Sequence, residues 1–350
     1  MSDSLIAPAL LAWHARHGRH DLPWQRDPTP YRVWVSEVML QQTQVATATP
    51  YFQRFMQRFP DLPTLAAAPL DDVLHLWSGL GYYSRARNLH RAAQRVMAEF
   101  GGELPDDATA LATLPGIGRS TAAAILALSC NQRQTILDGN VRRVLARYFA
   151  VEGSPLERAV EQRLWTLAEN CTPDDDVATY TQAIMDLGAI ICVRSRPLCN
   201  ACPLSDDCRA RRQGRQSELP APRPRAARRV RGVVMLIAQR ADGSVLLERR
   251  PEHGVWGGMW SLPEFPSLDG ARQFGATRLS AAVIEADTRP LVRHAFTHFE
   301  LEIRPLLAQC EGFAAVMEGP PTLWYNAGAP DRIGLPAPIS QIIHSLQGAA

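Results

Sequence analysis

Apolar residues recur every three or four positions through the first 212 residues: Ile6, Leu10 and Trp13; Val35, Val38 and Met39; Val73, Leu76 and Leu80; Leu164, Leu167 and Ala168. That is the period of an α-helix with one face turned to a core. Pro60, Pro63, Pro69 and Pro105 punctuate the pattern, so residues 1–212 are predicted to be an all-α domain. From 232 the period shortens. GVVMLIAQ, a turn at Asp242 and Gly243, and SVLLERR predict a β-hairpin. Strands are predicted again over 291–308, with helices near 268–280 and at the C-terminus, so 232–350 reads as α+β. Nine arginines crowd 209–231 against Glu218 alone, and Pro220, Pro222 and Pro224 stand at every second residue, so 213–231 is predicted to be an extended linker.

One stretch of the helical part is unusually punctuated. LATLPGIGRSTAAAILALSCNQRQTILDGNVRRVLARYF, 111–149, reads as helix, tight turn at Pro115, Gly116 and Gly118, then an alanine-rich helix with Ser120 and Thr121 in its first turn. A short loop, Asp138 and a further helix through Val141 and Leu145 follow. So glycine-rich a turn leaves amides bare at a positive helix end, which suits a phosphate and reads no base. An ordinary helical hairpin with glycines for close packing fits LPGIG equally well. Asp138 reads either as an N-cap or as a functional carboxylate, and Asn140 could take the capping task instead.

The chain is 350 residues long and 46% hydrophobic, enough for two cores. Net charge is only +2, so any nucleic-acid surface must be local. All 37 basic residues are arginine, and without lysine no side chain can form a Schiff base with an opened sugar. Asp3 and Pro8 interrupt the first apolar run, no basic segment precedes it, and no later run suits a membrane span. Seven cysteines in such a chain point to thiols or metal rather than disulfides. Cys192, Cys199, Cys202 and Cys208 are separated by six, two and five residues, which predicts one metal centre. A four-cysteine zinc site more often shows two CxxC pairs, and only Cys199 and Cys202 form one here. Cys130, Cys171 and Cys310 stand alone and are expected to be buried small hydrophobes. Glu37 lies among Val33, Trp34, Val38 and Leu40, where its charged form is disfavoured and its pKa should rise toward the range of a general acid.

These motifs together resemble the MutY family of the helix-hairpin-helix DNA glycosylase superfamily, from about residue 8 to 345. The resemblance rests on SEVMLQQTQV around Glu37, GLGYYSRARNL around Tyr82, LPGIG followed some twenty residues on by Asp138, the cysteine spacing, and GVWGGMWSLPEF at 254–265. It implies that Glu37 protonates adenine at N7, that Asp138 stabilises or captures the sugar cation, and that Asn140 positions both. It implies that Gln42, Thr43 and Tyr82 wedge into the duplex, since an aromatic can replace the stacking lost when a base flips. Gly116, Gly118 and Ser120 would meet the DNA backbone, as would Arg194 and Arg196, for which a merely solvated pair is the plainer reading. The cysteine spacing matches the family's [4Fe-4S] loop.

Strand-cleaving relatives carry a lysine where this chain has Ser120, so base removal here should use water. The C-terminal part is reminiscent of the Nudix fold, but SLDGARQFGATRLS offers Asp269 and no glutamate where a Nudix hydrolase needs a run of metal-binding carboxylates. RHAFTHFELEI at 293–303 resembles the family's 8-oxoguanine-reading loop, with Phe296 and His298 in place and Thr297 for its serine. The implied protein is a monofunctional glycosylase with an iron–sulfur cluster that removes adenine opposite 8-oxoguanine or guanine in double-stranded DNA. It would be a cytoplasmic, nucleoid-associated bacterial monomer with no membrane partner. Two rivals stay open: an endonuclease III-like glycosylase and lyase for oxidised pyrimidines, and a non-catalytic iron–sulfur protein that binds DNA.

Overall fold

The computed structural model describes residues 6–221, 228–279, 281–310 and 320–347, with the side chains of 281–288 and Gln347 left aside. The described chain forms two compact units, residues 6–67 with 88–221 and residues 68–87 with 228–347.

The first unit is helical. It holds α1 (Ala7–His17), α2 (Pro30–Leu40), α3 (Val45–Arg58) and α4 (Leu62–Ala67). The chain then leaves through α5 (Leu70–Trp77) and returns along α6 (Ser84–Glu99) to α7 (Ala108–Ala112), α8 (Arg119–Cys130), α9 (Gly139–Tyr148), α10 (Arg158–Cys171) and α11 (Val177–Asp186). A π-helical turn, Leu187–Ile191, leads into the cysteine segment, which ends in α12 (Arg209–Arg212). α8 packs against α2, α7 and α11, and its buried face of Ala122, Ala123, Ala124 and Ala127 explains how three neighbours come so near. α9 is equally central, touching α10, α11, α12 and the π-turn through Val141, Val144 and Leu145. Around it a single core gathers Leu10, Trp13, Leu137, Leu164, Tyr180, Ile184 and Leu187. Asp186, fully buried at the end of α11, accepts from the Arg19 amide at 2.7 Å, Arg19 Nε at 2.9 Å and Gln182 Nε2 at 2.7 Å, which satisfies a carboxylate that could not otherwise be buried.

The second unit carries an eight-stranded sheet of path β3–β2–β1–β7–β5. Its strands are β1 (Arg229–Arg240), β2 (Val245–Arg249), β3 (Trp260–Ser261), β4 (Glu264–Phe265), β5 (Ala281–Thr288), β6 (Val292–Ala295), β7 (Phe299–Cys310) and β8 (Thr322–Tyr325). β1 and β7 run parallel in register from Arg229 opposite Phe299 to Arg240 opposite Cys310. β1 is buried on both faces from Val233 to Ala238, as an apolar run rather than an alternation suggests. One face, Val234, Leu236 and Ala238, meets α13 (Leu268–Arg278) through Ala271 and Leu279. The predicted β1–β2 hairpin is present, its turn closed by Asp242 accepting from the Ser244 amide at 2.9 Å. The chain ends in α14 (Ala337–Gln347), and no described helix is long and apolar enough to cross a membrane.

Three expectations change. α5 and the loop after it, read from sequence as part of the helical domain, belong to the sheet-bearing unit. Asp71 accepts from Trp260 Nε1 at 3.3 Å, His75 Nδ1 lies 3.3 Å from the Ile333 carbonyl, and Ser78 Oγ accepts from the Leu335 amide at 3.3 Å. The linker is shorter than 213–231. Arg215 pairs with Glu152 and Glu218, the Leu219 carbonyl accepts from buried Arg147, and Arg229 already starts β1. Residues 222–227 lie outside the described residues. Cys130 is exposed, because it closes α8 just before the left-handed Asn131, whereas Cys171 and Cys310 are buried as expected.

A side chain at Gly188 would put its Cβ 2.5 Å from Asn140 Cβ, so the approach of the π-turn to α9 requires glycine. Gly188→Ala should therefore cost about 1–3 kcal/mol in urea unfolding, the usual penalty of overpacking. An unchanged midpoint would show that α9 is free to move away.

Candidate active site, cysteine cluster and recognition hairpin

α2 starts at Pro30, capped by Thr29, and buries Tyr31, Val33, Trp34, Val35, Ser36, Val38 and Met39. The helix is buried nearly all round, and Glu37 is only partly exposed on it. Its carboxyl receives no hydrogen bond from another described residue, and desolvation, then the Asp138 charge, raises its pKa to about 7. A carboxylic acid so placed holds its proton near neutrality.

Asp138 is the N-cap of α9. Oδ1 accepts from the Val141 amide at 2.8 Å and Oδ2 from Asn140 Nδ2 at 3.2 Å. Asp138, not Asn140, is thus the capping residue. Burial raises its pKa, while the Val141 and Asn140 bonds and the Arg143 charge oppose the rise. Arg143 donates to Asn140 Oδ1 at 2.8 Å, to the Gly188 carbonyl at 2.5 Å and, through Nε, to the Cys192 carbonyl at 2.7 Å. Ser120, in the first turn of α8, uses its Oγ to accept from the Leu137 amide at 3.0 Å, directly before Asp138. Its hydroxyl therefore holds the approach to the carboxylate.

Cys192, Cys199, Cys202 and Cys208 line one cavity of about 30 Å³ with Val144, Leu187 and Leu204. Burial is the first cause that pushes Cys202 up to about 11, and the three neighbouring thiols add to it. Among the described residues no three His, Cys, Asp or Glu side chains converge as a single ion would need. Arg147, 3% exposed, braces the first inter-cysteine loop: its guanidinium donates to the carbonyls of Val193 at 2.7 Å, Arg194 at 3.0 Å and Leu219 at 2.8 Å, and to Cys192 Sγ at 3.4 Å. Arg194 and Arg196 project from that loop, exposed and outside the ion pairs of the described residues.

Gly116 has φ +80°, and a Cβ there would meet Asn88 at 2.9 Å, so the turn before α8 needs glycine. Gly118, the N-cap of α8, brings no capping side chain to the first-turn amides. After α2, Gln42 is exposed at φ +60°, and Thr43 is half-buried with its amide on the Leu40 carbonyl. In the second unit Tyr82 sits at φ +49° and is 46% exposed, its ring 5.4 Å from the Arg85 guanidinium. Phe296 closes the β6–β7 hairpin by donating its amide to the Phe299 carbonyl at 2.8 Å, and its ring stacks on Phe299 with centroids 4.5 Å apart. Thr297 and His298 form the exposed tip. Beneath them Trp256 lies 5.6 Å from Phe296 and 5.8 Å from His294, whose pKa burial lowers. Asp269 is exposed at the start of α13.

Residues 35–170 match the family described as HhH-GPD superfamily base excision DNA repair protein, and residues 233–345 match the NUDIX domain. The chain is 36% identical to an adenine DNA glycosylase of Buchnera aphidicola subsp. Acyrthosiphon pisum, with 99% of each covered. The chain belongs to the adenine DNA glycosylase family. It is also 37% identical to the Rattus norvegicus adenine DNA glycosylase, covering 87% of this chain and 70% of that one. Among solved structures a thermostable thymine-DNA glycosylase matches with TM-score 0.54 and 26% identity over 61% of this chain and 97% of that one. An endonuclease III–DNA complex shares the fold at TM-score 0.51 and 21% identity, covering 60% of this chain and 96% of that one.

The protein is thus a DNA glycosylase that removes adenine in base excision repair, with a helical glycosylase domain and a Nudix-like sheet domain. Reading the sequence missed several residues of this glycosylase. Arg143 and Arg147 lie three and seven positions past Asn140, hence on one face of α9, which is the only trace they leave in the sequence. Ser120 was noted for the lysine it replaces and not for the amide it holds.

Glu37 gives a pH test with a definite sign. Its folded pKa of about 7 lies above the ordinary 4.5, so its proton stabilises the fold fully below pH 4.5, and that contribution is lost as pH rises through about 7. The Tm of Glu37→Gln should equal the parent's below pH 4.5 and exceed it increasingly up to about pH 7. A difference that stays flat across that range would place the carboxyl in open water.

Proposed function

We propose that this glycosylase removes adenine opposite 8-oxoguanine, or opposite guanine, by hydrolysis and without cutting the strand. The observation that carries the chemistry is the pair of carboxyls in contrasting surroundings. Glu37 receives no described hydrogen bond and titrates at about 7, whereas Asp138 is held by two donors and faces the Arg143 charge. Environments that separate two acids in this way assign the proton donor and the anion. Glu37 protonates adenine N7 and makes the base a better leaving group. Asp138 stabilises the oxocarbenium-like sugar or captures it, Asn140 holds Asp138, and water completes the reaction. With no lysine anywhere in the chain, no side-chain amine is available for strand cleavage.

Gln42 and Tyr82 open the stack, and Thr43 supports the wedge at its base. The left-handed backbone of Gln42 and Tyr82, a strain met at functional positions, supports that role. Gly116, Gly118 and Ser120 seat a phosphate at the start of α8, and Arg194 and Arg196 meet another stretch of backbone. The exposed hairpin tip of Thr297 and His298, rooted by Phe296, reads 8-oxoguanine. The enzyme works as a cytoplasmic monomer on nucleoid DNA.

Cys192, Cys199, Cys202 and Cys208 fit a [4Fe-4S] cluster. All four line one half-buried cavity, and four thiols gathered in one place are the donor set of a polynuclear metal centre. A bound cluster supplies thiolate–iron bonds that fix the loop carrying Arg194 and Arg196. Purified protein should be brown, with about four irons per chain and absorbance near about 400 nm. Colourless, active protein with stoichiometric zinc would overturn the assignment.

Single-turnover base release tests the two carboxyls. Glu37→Gln keeps volume and loses the proton, so the chemical step should fall about 10²-fold or more. Asp138→Asn keeps a cap, since Asn caps about as well as Asp, and should nearly abolish release while duplex binding and Tm persist. Near-normal release by Glu37→Gln removes it as the acid, and an unfolded Asp138→Asn reduces Asp138 to a cap.

A further inference from the structure

Tyr82 and the Phe296–His298 hairpin lie far apart in sequence, yet they are built into the same compact unit. The route between them is short. Arg87, in the first turn of α6, donates from Nη1 to the Gly257 carbonyl at 2.6 Å. Gly257 adjoins Trp256, which is 6% exposed at φ +54° and so has little room to reorient. The Trp256 ring supports Phe296, and the Phe296 amide and ring close the hairpin on Phe299. In the other direction from Arg87, Arg85 lies 5.4 Å from the Tyr82 ring and 5.5 Å from that of Trp77, and donates to the Gly81 carbonyl at 3.0 Å. The Arg87 amide itself donates to the Tyr83 carbonyl at 3.1 Å, so packed or hydrogen-bonded groups join the Tyr82 loop to the tip formed by Thr297 and His298.

We propose that Arg87 is a specificity-determining positioning residue, clasping the Trp256–Gly257 turn so that the Tyr82 wedge and the Thr297–His298 tip engage the orphaned base as one rigid pair. The proposal rests on the recognition role given above to Tyr82 and the hairpin. Arg87 touches neither the base nor the sugar in this account. A charge-assisted bond to a carbonyl holds its acceptor more firmly than a neutral one. A recognition group must be held within about 0.5 Å of its working place. Asp71 accepts from Trp260 Nε1 and pairs with Arg249 Nη2 at 3.5 Å, and Arg249 Nε donates to the Gly258 carbonyl at 3.4 Å, so the residue after Gly257 is held as well.

The test uses the full chain and the ratio of single-turnover release rates at sub-saturating enzyme for adenine opposite 8-oxoguanine and opposite guanine. Arg87→Met keeps the apolar stem and removes the donor. It should lower the ratio roughly tenfold, the scale of one lost hydrogen bond from a charged group, with the rate opposite guanine within about twofold of the parent. Arg87→Lys, which still reaches with one donor, should recover most of the ratio. If Arg87→Met does not fold, Arg87→Gln takes its place in the same comparison. A merely structural role would lower both rates together with Tm and leave the ratio alone, and that result overturns the proposal. His298→Ala separates the two levels. If it leaves the ratio unchanged, the hairpin is not the reader and the clasp falls with it. If it lowers the ratio while Arg87→Met does not, the reading stands and the clasp is refuted. If both lower it, the double variant should lose no more than His298→Ala alone, since Arg87 acts through the hairpin; fully additive losses would refute the clasp.

Discussion

The guanidinium of Arg143 is where the first unit is tied together. It meets Asn140 beside the Asp138 cap, the Gly188 carbonyl of the π-turn and the Cys192 carbonyl at the start of the cysteine segment. One turn further along α9, Arg147 is buried without a carboxylate and is satisfied by the Val193 and Arg194 carbonyls of the same segment and by that of Leu219. A buried guanidinium with incomplete partners would be very costly, so these carbonyls are held where they are. α9 therefore sets the place of the carboxylate at its N-terminus and of the cysteine loop along its side, and Gly188 permits the approach that makes both possible.

Two desolvated carboxyls differ in the hydrogen bonds they receive. Glu37 comes from a helix sealed by aromatic and β-branched neighbours, and desolvation outweighs everything else acting on it. Asp138 is also desolvated, but helix-end amides, an amide side chain and an arginine offset part of that penalty. The same carboxyl group is thus left without donors in one place and held by several in the other. Ser120 contributes without touching either acid, since its hydroxyl fixes Leu137 and with it the entry to the cap.

The second unit shows a different economy. Its sheet is an ordinary one, held by β1 and β7 in long parallel register and covered by α13. What distinguishes it is at its margins: a hairpin tip rooted on stacked aromatics, and a borrowed segment, 68–87, that brings an exposed tyrosine into the same body. Among the described residues no cluster of acids accompanies Asp269, and α13 serves as a packing layer.

Much of this was legible in the one-dimensional pattern. Helical and strand periods separated the two kinds of architecture, the LPGIG turn and Asp138 announced the hairpin and the cap, and the cysteine spacing announced four thiols gathered about one cavity. Apolar neighbours along the chain were enough to foresee a raised Glu37 pKa, and desolvation is its first cause. Those features are local: each is encoded within a turn or two of the chain. The rest depended on segments meeting from far apart. Nothing local shows that Arg143 reaches Cys192, that Arg147 is buried at all, that Ser120 serves Leu137, or that α5 leaves the helical unit for Trp260, Ile333 and Leu335. Arginine is mostly a surface residue, and a chain whose basic residues are all arginine offers no composition signal to mark the few that are not. Sequence by itself determined the elements and the types of chemistry they carry; only the tertiary structure decided which polar groups would be buried together, because hydrogen-bond partners for a buried charge are chosen by packing across the fold rather than by proximity along the chain.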